Sequence, residues 1–389
     1  MRNANIGAIY FDNAATSWPK PPGMAAAMAR FADQIGANPG RAGHQMAVQS
    51  ARIVYETRQA IAGLFNCQDP LRVIFTSNVT AAINLALFGL LNPGDHVITT
   101  SMDHNAVMRP LRYLESHGVA LTIIHCSPQG VLDPADMKRA LRSDTRMIVM
   151  THASNVTGTI MPVADIGALA RQHGVLLLVD AAQTAGVLPI DMQADAIDLL
   201  AFTGHKSLYG PMGTGGLVIG NQVDVEVFKP LIYGGTGSNS EKEEQPAFLP
   251  DKFESGTLNV IGLAGLLASL QWIQSTGINK IHKHEEALVN ALLDGAQAID
   301  DLIVHGPYDS AHKTAVMPFS VKGKDNAAIS DILDSQYQIF CRVGLHCAPA
   351  AAKTMGVFPQ GTIRFSLGYF NQLTEIEYAV AALKEISKG

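Results

Sequence analysis

The sequence predicts an α/β protein in two parts: a large unit built on a mostly parallel sheet between helices, then a smaller α+β unit. Three observations carry this. Between residues 70 and 220, short β-branched or apolar runs alternate with longer helical patterns, the signature of parallel strands covered by helices. At 234–246 the texture changes to GGTGSNSEKEEQP, which has no apolar period and reads as a loop. Beyond it a long helical stretch is followed by three strands interleaved with helices. A chain of 389 residues, 47% of them hydrophobic, is long enough to bury a large core and divide into two domains.

Strands are expected at 72–77 (RVIFTS), 96–101 (HVITTS), 120–126 (ALTIIHC), 146–154 (RMIVMTHAS), 175–182 (VLLLVDAA) and 197–204 (IDLLAFTG). Helices fill the gaps. TAAINLALFGLL is continuously apolar, which implies deep burial, and PVADIGALARQHG has Pro162 at its start and Gly174 at its end. After the loop, one helical stretch runs from about 260 to 299, and TAVMPFSVKG, QIFCRVGL and TIRFSLGYF read as strands.

A net charge of −6 without a Lys/Arg cluster excludes a nucleic-acid or membrane-surface partner, since phosphates reward clustered cations. The opening MRNANIGAIYFDNAATSW lacks the apolar core of a secretory signal, and no apolar run reaches membrane-spanning length, so a cytoplasmic protein is expected. Four cysteines, Cys67, Cys126, Cys341 and Cys347, are too sparse for a disulfide framework, and neither CxxC nor HExxH occurs, so no metal site is expected.

Ligands of open α/β sheets gather outside the carboxyl ends of the strands. Here those ends are polar: Thr76 and Ser77, Asp103 and His104, His152 and Asn155, Asp180 and Gln183, Thr203 and Lys206. Asp180 either caps its turn or partners a buried cationic ring nitrogen, as pyridoxal phosphate (PLP) requires to act as an electron sink. Lys206, between a strand and the glycine-rich GPMGTGG, is either a surface lysine or a desolvated amine able to form a Schiff base. Thr203 and His205 can donate to a phosphate. In FTSNVTAAINLAL a helix beginning near Val79 and Thr80 turns its free N–H groups toward an anion, although capping alone would explain Asn78. His104 either lies over a flat cofactor or is an interior ring, and Asn155 either bonds a ring hydroxyl or stabilises its own turn. In FCRVGLHCAPA, Cys347 is either a packed thiol or a partly exposed thiolate beside Arg342 and His346, while Cys341, in the apolar run QIFC, reads as packing.

The phrases YFDNAAT, TSNVTAAIN, DHNA, SNVTGTIMP, VDAAQTAG, FTGHKSLYGPMGTGG, FESGTLN, RVGLHCAP and TIRFSLGYFN, in this order, resemble a cysteine desulfurase of the class V, fold-type I PLP-dependent aminotransferase superfamily. The resemblance covers nearly the whole chain. It implies a seven-stranded sheet in a PLP-binding domain at 18–256, with a small domain at 1–17 and 257–389 carrying the cysteine loop. It implies PLP as cofactor, Lys206 as Schiff-base lysine and proton carrier, Asp180 as pyridinium partner, His104 as the stacked ring and Gln183 as contact to the phenolic oxygen. Val79, Thr80, Thr203 and His205 become phosphate ligands, joined by Thr257 across a homodimer interface. Asn155 and Arg364 hold the substrate carboxylate, with Arg342 and His44 also on the substrate side. Cys347 becomes the nucleophile that takes sulfur from L-cysteine as a persulfide, leaving L-alanine, and a sulfur-acceptor protein follows it. Either Arg342 or a protonated His346 would favour the thiolate. Two positions depart from the family pattern: Leu345 stands where a second histidine is usual, and Ala81 where an acid is.

Selenocysteine lyase shares this scaffold and is the alternative activity, ahead of another class V enzyme of the aminotransferase type. An inactive relative serving as a binding partner would be free to lose Lys206 or Asp180, and both are present. GTGG at 213–216 suggests a nucleotide binder, but it lacks the strand–GxGxxG–helix context.

Overall fold

The computed structural model describes residues 7–40 and 43–388. In chain order these form β1 (Ile9–Tyr10), α1 (Met24–Gln34), α2 (Gln45–Leu64), β2 (Val73–Thr76), α3 (Val79–Leu90), β3 (His96–Thr100), α4 (Asn105–Glu115), β4 (Ala120–Ile124), α5 (Pro134–Ala140) and β5 (Thr145–Thr151). There follow α6 (Val163–Gln172), β6 (Leu176–Asp180), β7 (Leu199–Thr203), β8 (Gly215–Ile219), α7 (Val260–Thr276), α8 (Ile278–Gln297), β9 (Leu302–Val304) and β10 (Val316–Val321). The chain closes with α9 (Asn326–Tyr337), β11 (Ile339–Phe340), β12 (Arg342–Gly344), α10 (Pro349–Thr354), β13 (Thr362–Ser366) and α11 (Leu373–Lys388).

The large sheet has seven strands in the order β2-β8-β7-β6-β5-β3-β4. All neighbours are parallel except β8, which runs antiparallel to both β2 and β7. Both faces are covered, which is why its strands read as continuous apolar runs rather than as an alternation. Leu177, Val179 and Phe202 enter one core, with residues of α2, α6 and α7, while Leu178, Ala201 and Leu217 enter the other, against α3 and α4. The apolarity of α3 is accounted for: Ala82, Ile83, Ala86 and Leu87 are wholly buried. The smaller unit is an antiparallel sheet, β12-β13-β10-β9, with a two-stranded parallel pair of β1 and β11 beside it. Its core draws on α8, α9 and α11.

The structure differs from the sequence expectations at three places. The single helix expected at about 260–299 is two, because Gly277, at φ 89°, closes α7 with its N–H on the Ile273 carbonyl and starts α8 in a new direction. Val260, Leu263, Leu266, Leu270 and Ile273 of α7 join the core on one face of the large sheet. The expected strand QIFCRVGL divides at Cys341: Ile339 and Phe340 pair with β1, and 342–344 pair with β13. The eighth strand, β8, hides in the glycine-rich GTGGLVIG, where low side-chain content masks strand propensity.

Those glycines are required by close approach. A Cβ on Gly215 would lie 2.7 Å from the Asn78 backbone and 2.8 Å from the Phe202 carbonyl oxygen. The first turn of α3 is thereby seated against the sheet. Gly215→Ala is expected to lower the unfolding free energy by about 1–3 kcal/mol, measured as an unchanged urea m-value with a lower midpoint.

Candidate active site

The carboxyl end of the large sheet assembles the polar residues that the strand ends supply. Thr76, Gly215 and Thr203 lie side by side in register across β2, β8 and β7. Asn78 caps α3 by accepting from the Ala81 N–H at 3.0 Å, and its carbonyl accepts from Ala82. The N–H groups of Val79 and Thr80 have no acceptor within the helix, at its positive dipole end. His205 follows Thr203, and its buried Nδ1 has no partner within the protein. An unpartnered ring nitrogen, a hydroxyl and a helix N-terminus at one sheet edge fit a phosphate-bearing group.

Next along the sheet, Asp180 closes β6, buried, with Oδ1 accepting from the Ala182 N–H at 2.9 Å. Burial raises its pKa, while that backbone bond and the Lys206 charge act against the rise. Lys206 sits just after β7, and its amine is pushed down to about 8 by burial, with Asp180 resisting and the Arg364 and Arg342 charges adding to the fall. Burial thus brings the neutral amine, the form that a base or nucleophile requires, within easier reach than in a free lysine. Gln183 donates from Nε2 to the Ala14 carbonyl at 3.1 Å.

His104 is the N-cap of α4, its Nδ1 accepting from the Ala106 N–H at 3.0 Å. That bond places the ring proton on Nε2. Burial, then the charges of Lys206 and Arg342, press the ring down to about 4, so it stays neutral. The preceding Asp103 is wholly buried and accepts four hydrogen bonds, from Thr99 Oγ1, Thr100 N–H and Oγ1, and Thr151 N–H. It locks the end of β3 to β5 and so aims His104. The sequence marks Asp103 as a strand-end residue without assigning it a role.

Opposite this edge stand two guanidiniums. Arg342 and Arg364 are register partners on β12 and β13, like charges directly across a strand pair, which destabilise unless anions lie nearby. Arg364 is fully buried. Its Nη1 donates to the Asn155 carbonyl at 2.9 Å and its Nη2 to Asp12 Oδ1 at 2.6 Å, and its Nε has no partner. Arg342 Nη2 donates to the Cys347 sulfur at 3.2 Å. Cys347 is exposed and, like His346, has a left-handed backbone, φ 59° and 51°. Its carbonyl accepts from the Asn105 N–H at 3.0 Å, which pins the thiol segment beside His104. Asn155 Nδ2 donates to the His346 carbonyl at 2.7 Å, so this amide supports the cysteine turn.

The remaining expected residues have these placements. His346 is buried, its Nε2 against Thr362, and burial, then the charges of Arg364 and Arg342, hold it down to about 3. A protonated His346 is therefore not what favours a thiolate; Arg342 is the cation in contact. His44 is exposed and caps α2, with Nδ1 accepting from Ala47 at 3.3 Å. Thr80 is exposed, and Thr257 is exposed on a cavity shared with Thr76 and Ser77. Cys341 lies against the small core with Ser330 Oγ 3.6 Å from its sulfur, a packing cysteine. Asp12, the counter-ion of Arg364, was missed; it belongs to YFDNAAT, quoted for resemblance without a role. Among the described residues no group of three His, Cys, Asp or Glu is arranged to hold a metal, and no helix is long and apolar enough to cross a membrane.

The family model "Aminotransferase class-V" matches residues 9–379. A probable cysteine desulfurase of Methanothermobacter thermautotrophicus is 34% identical, over 97% of this chain and 94% of its own length. The apo structure of cysteine desulfurase from Thermococcus onnurineus NA1 superposes with a TM-score of 0.92 at 30% identity, covering 98% of this chain and 95% of that one. The cysteine desulfurase CsdA from Escherichia coli superposes with a TM-score of 0.87 at 26% identity, covering 98% and 95%.

Two measurements check this electrostatic layout. Asp12→Ala leaves a buried guanidinium without its counter-charge and should cost about 3 kcal/mol of unfolding free energy, whereas Asp12→Asn, which keeps the acceptor, should cost less. Burial holds His104, His152 and His205 near 4 and His346 near 3, below their ordinary 6.5. Stabilisation by these neutral rings is complete above pH 6.5 and is lost as pH falls through the folded values. Urea unfolding at pH 7, 5.5 and 4.5 should show that decline, with a shallower slope in His346→Asn.

Proposed function

Because the chain belongs to the aminotransferase class-V family, among its cysteine desulfurases, we propose that it uses pyridoxal phosphate to convert L-cysteine to L-alanine, with the sulfur taken by Cys347 as a persulfide. The observation that carries this reading within the family is the exposed Cys347 thiol in contact with Arg342 and anchored beside His104. A transaminase or epimerase needs no thiol there.

The residues present suit the cofactor. His205 Nδ1, buried without a partner, and Thr203 would hold its phosphate with the Val79 and Thr80 N–H groups. Asp180 would partner the ring nitrogen, His104 would lie against the ring, Gln183 would reach its oxygen, and Lys206 would anchor it covalently. Bound there, pyridoxal phosphate supplies a ring that accepts the electron pair left at the substrate Cα.

The rest is the work of this chain. Arg364 has one unpartnered nitrogen and a second held by Asp12, so a substrate carboxylate finds a cation that is already oriented. Lys206, with its depressed pKa, takes the Cα proton and returns a proton toward the product. The Arg342 guanidinium stabilises the Cys347 thiolate, whose sulfur bonds to the substrate sulfur as the Cβ–S bond breaks. Two thiols become one persulfide while Cβ gains hydrogen, so the step balances without an external oxidant. A homodimer, in which the exposed Gly256–Thr257 segment with Leu231 and Ile232 beside it faces a second copy, belongs to the same reading, as do a cytoplasmic setting and a sulfur-acceptor protein.

Lys206→Ala should lose the absorbance band of lysine-bound cofactor together with alanine production, by at least a hundredfold. Cys347→Ser should keep the band and lose persulfide formation, measured as alanine, sulfide and protein persulfide in one incubation with L-cysteine. Full desulfuration by Cys347→Ser would overturn the nucleophile. Selenocysteine turnover by the unaltered protein, with cysteine turnover absent, would make the protein a selenocysteine lyase instead. Arg342→Leu, which removes the donor at the Cys347 sulfur, should lower persulfide formation about tenfold while keeping the absorbance band of lysine-bound cofactor.

A further inference from the structure

The turn that carries Lys206 is gripped from both sides. On one side the His205 carbonyl accepts from the Ser17 N–H at 3.0 Å, Thr16 Oγ1 at 3.1 Å and Lys20 Nζ at 2.9 Å. On the other the Lys206 carbonyl accepts from the Tyr209 N–H at 2.7 Å, which closes the turn. Tyr209 makes that bond from a left-handed backbone, φ 57°, which a bulky residue keeps only when its surroundings over-determine it.

Those surroundings come from elsewhere in the fold. The Tyr209 ring meets Trp272 and Phe370 edge-on at 5.2 and 5.9 Å. Its hydroxyl donates to Glu285 Oε1 at 2.8 Å and accepts from the Tyr369 N–H at 2.8 Å. Glu285 lies on α8, buried, and burial pushes its carboxyl up to about 8, against the pull of the Tyr209 bond. A buried acid bonded to a hydroxyl and not to a cation is a costly way to fill space that an apolar side chain would fill more cheaply. Glu285, Tyr209, Lys206 and Gln183 line one small cavity behind the lysine turn, with Asn13 and Ser366.

We propose that Glu285 is a positioning residue for Lys206: it holds the Tyr209 hydroxyl, Tyr209 holds the strained turn, and the turn aims the lysine amine. The inference rests on the reading that Lys206 anchors the cofactor and moves the substrate proton. It also assigns a role to the link between α8 with the segment at 369–370 and the large sheet, since both meet at this hydroxyl.

The test compares Glu285→Gln, Glu285→Leu and Tyr209→Phe in the holoenzyme. Readouts are the pH at which the lysine-bound cofactor band titrates, the rate of cofactor uptake by stripped protein, the separate kcat and KM for L-cysteine, and the urea midpoint. Glu285→Leu and Tyr209→Phe should each lower kcat about tenfold with KM within twofold, slow cofactor uptake and shift the titration of the band. The double variant should be no worse than either, because both cut one connection. Glu285→Gln, which presents the same neutral acceptor, should restore all of these to within twofold. An unmoved band, uptake rate and kcat in Tyr209→Phe, with only a lower urea midpoint, would overturn the proposal, and that variant decides the matter if Glu285→Leu does not fold. A wild-type protein whose band borohydride does not fix to Lys206 would overturn the cofactor reading as well, a result separate from a normal wild-type band that the variants leave unchanged.

Discussion

A guanidinium with no access to water has to be satisfied by the protein itself, and the Arg364 side chain draws three parts of the chain together in being so. Asp12 reaches it because residues 9–14 run between the two sheets of the smaller unit, with the Phe11 N–H on the Phe340 carbonyl and the Asn13 N–H on that of Ser366. Asn155 reaches it from the loop after β5 of the large sheet. Arg364 itself stands in β13, across from Arg342. One buried charge thus fixes the relation between the large sheet, the small sheet and the N-terminal segment. It does so with a capacity to bind still unused, since Nε remains unpartnered.

The charge balance around it follows one rule. The cations Lys206, Arg342 and Arg364 face a region whose histidines, His104, His205 and His346, are all kept neutral by burial and by those same cations. Neutral rings can donate and accept in fixed directions without adding repulsion, and the positive field is left for anions: a phosphate, a carboxylate and a thiolate. Burial of Asp180 works the other way, making an acid that is comfortable only beside a cation. The site is poised by what it excludes as much as by what it presents.

Much of this was legible along the chain. Strand ends announced themselves through apolar runs ending in polar residues, and the polar residues named there, Asp180, Lys206, Thr203 and His104, are at the same sheet edge. The deep burial of α3 and the stop at Gly174 followed from composition and glycine placement alone. Less legible were features that depend on a partner distant in sequence. The bond between Asp12 and Arg364 spans most of the chain, the split of QIFCRVGL between two sheets depends on β1 lying beside it, and β8 is recognisable only because β2 and β7 pair with its glycines.

Local chemistry, then, was determined by the sequence: which residues end strands, which helix starts present free N–H groups, which thiol sits on a turn. Charge state and direction were decided by the tertiary structure, because both depend on desolvation and on neighbours that no spacing encodes. His346 and Cys347 illustrate the division. Adjacent in sequence, they read as a histidine able to activate a thiol; in the fold one ring is buried and neutral against Thr362, the thiol is exposed, and the cation at its sulfur is Arg342 from the neighbouring strand.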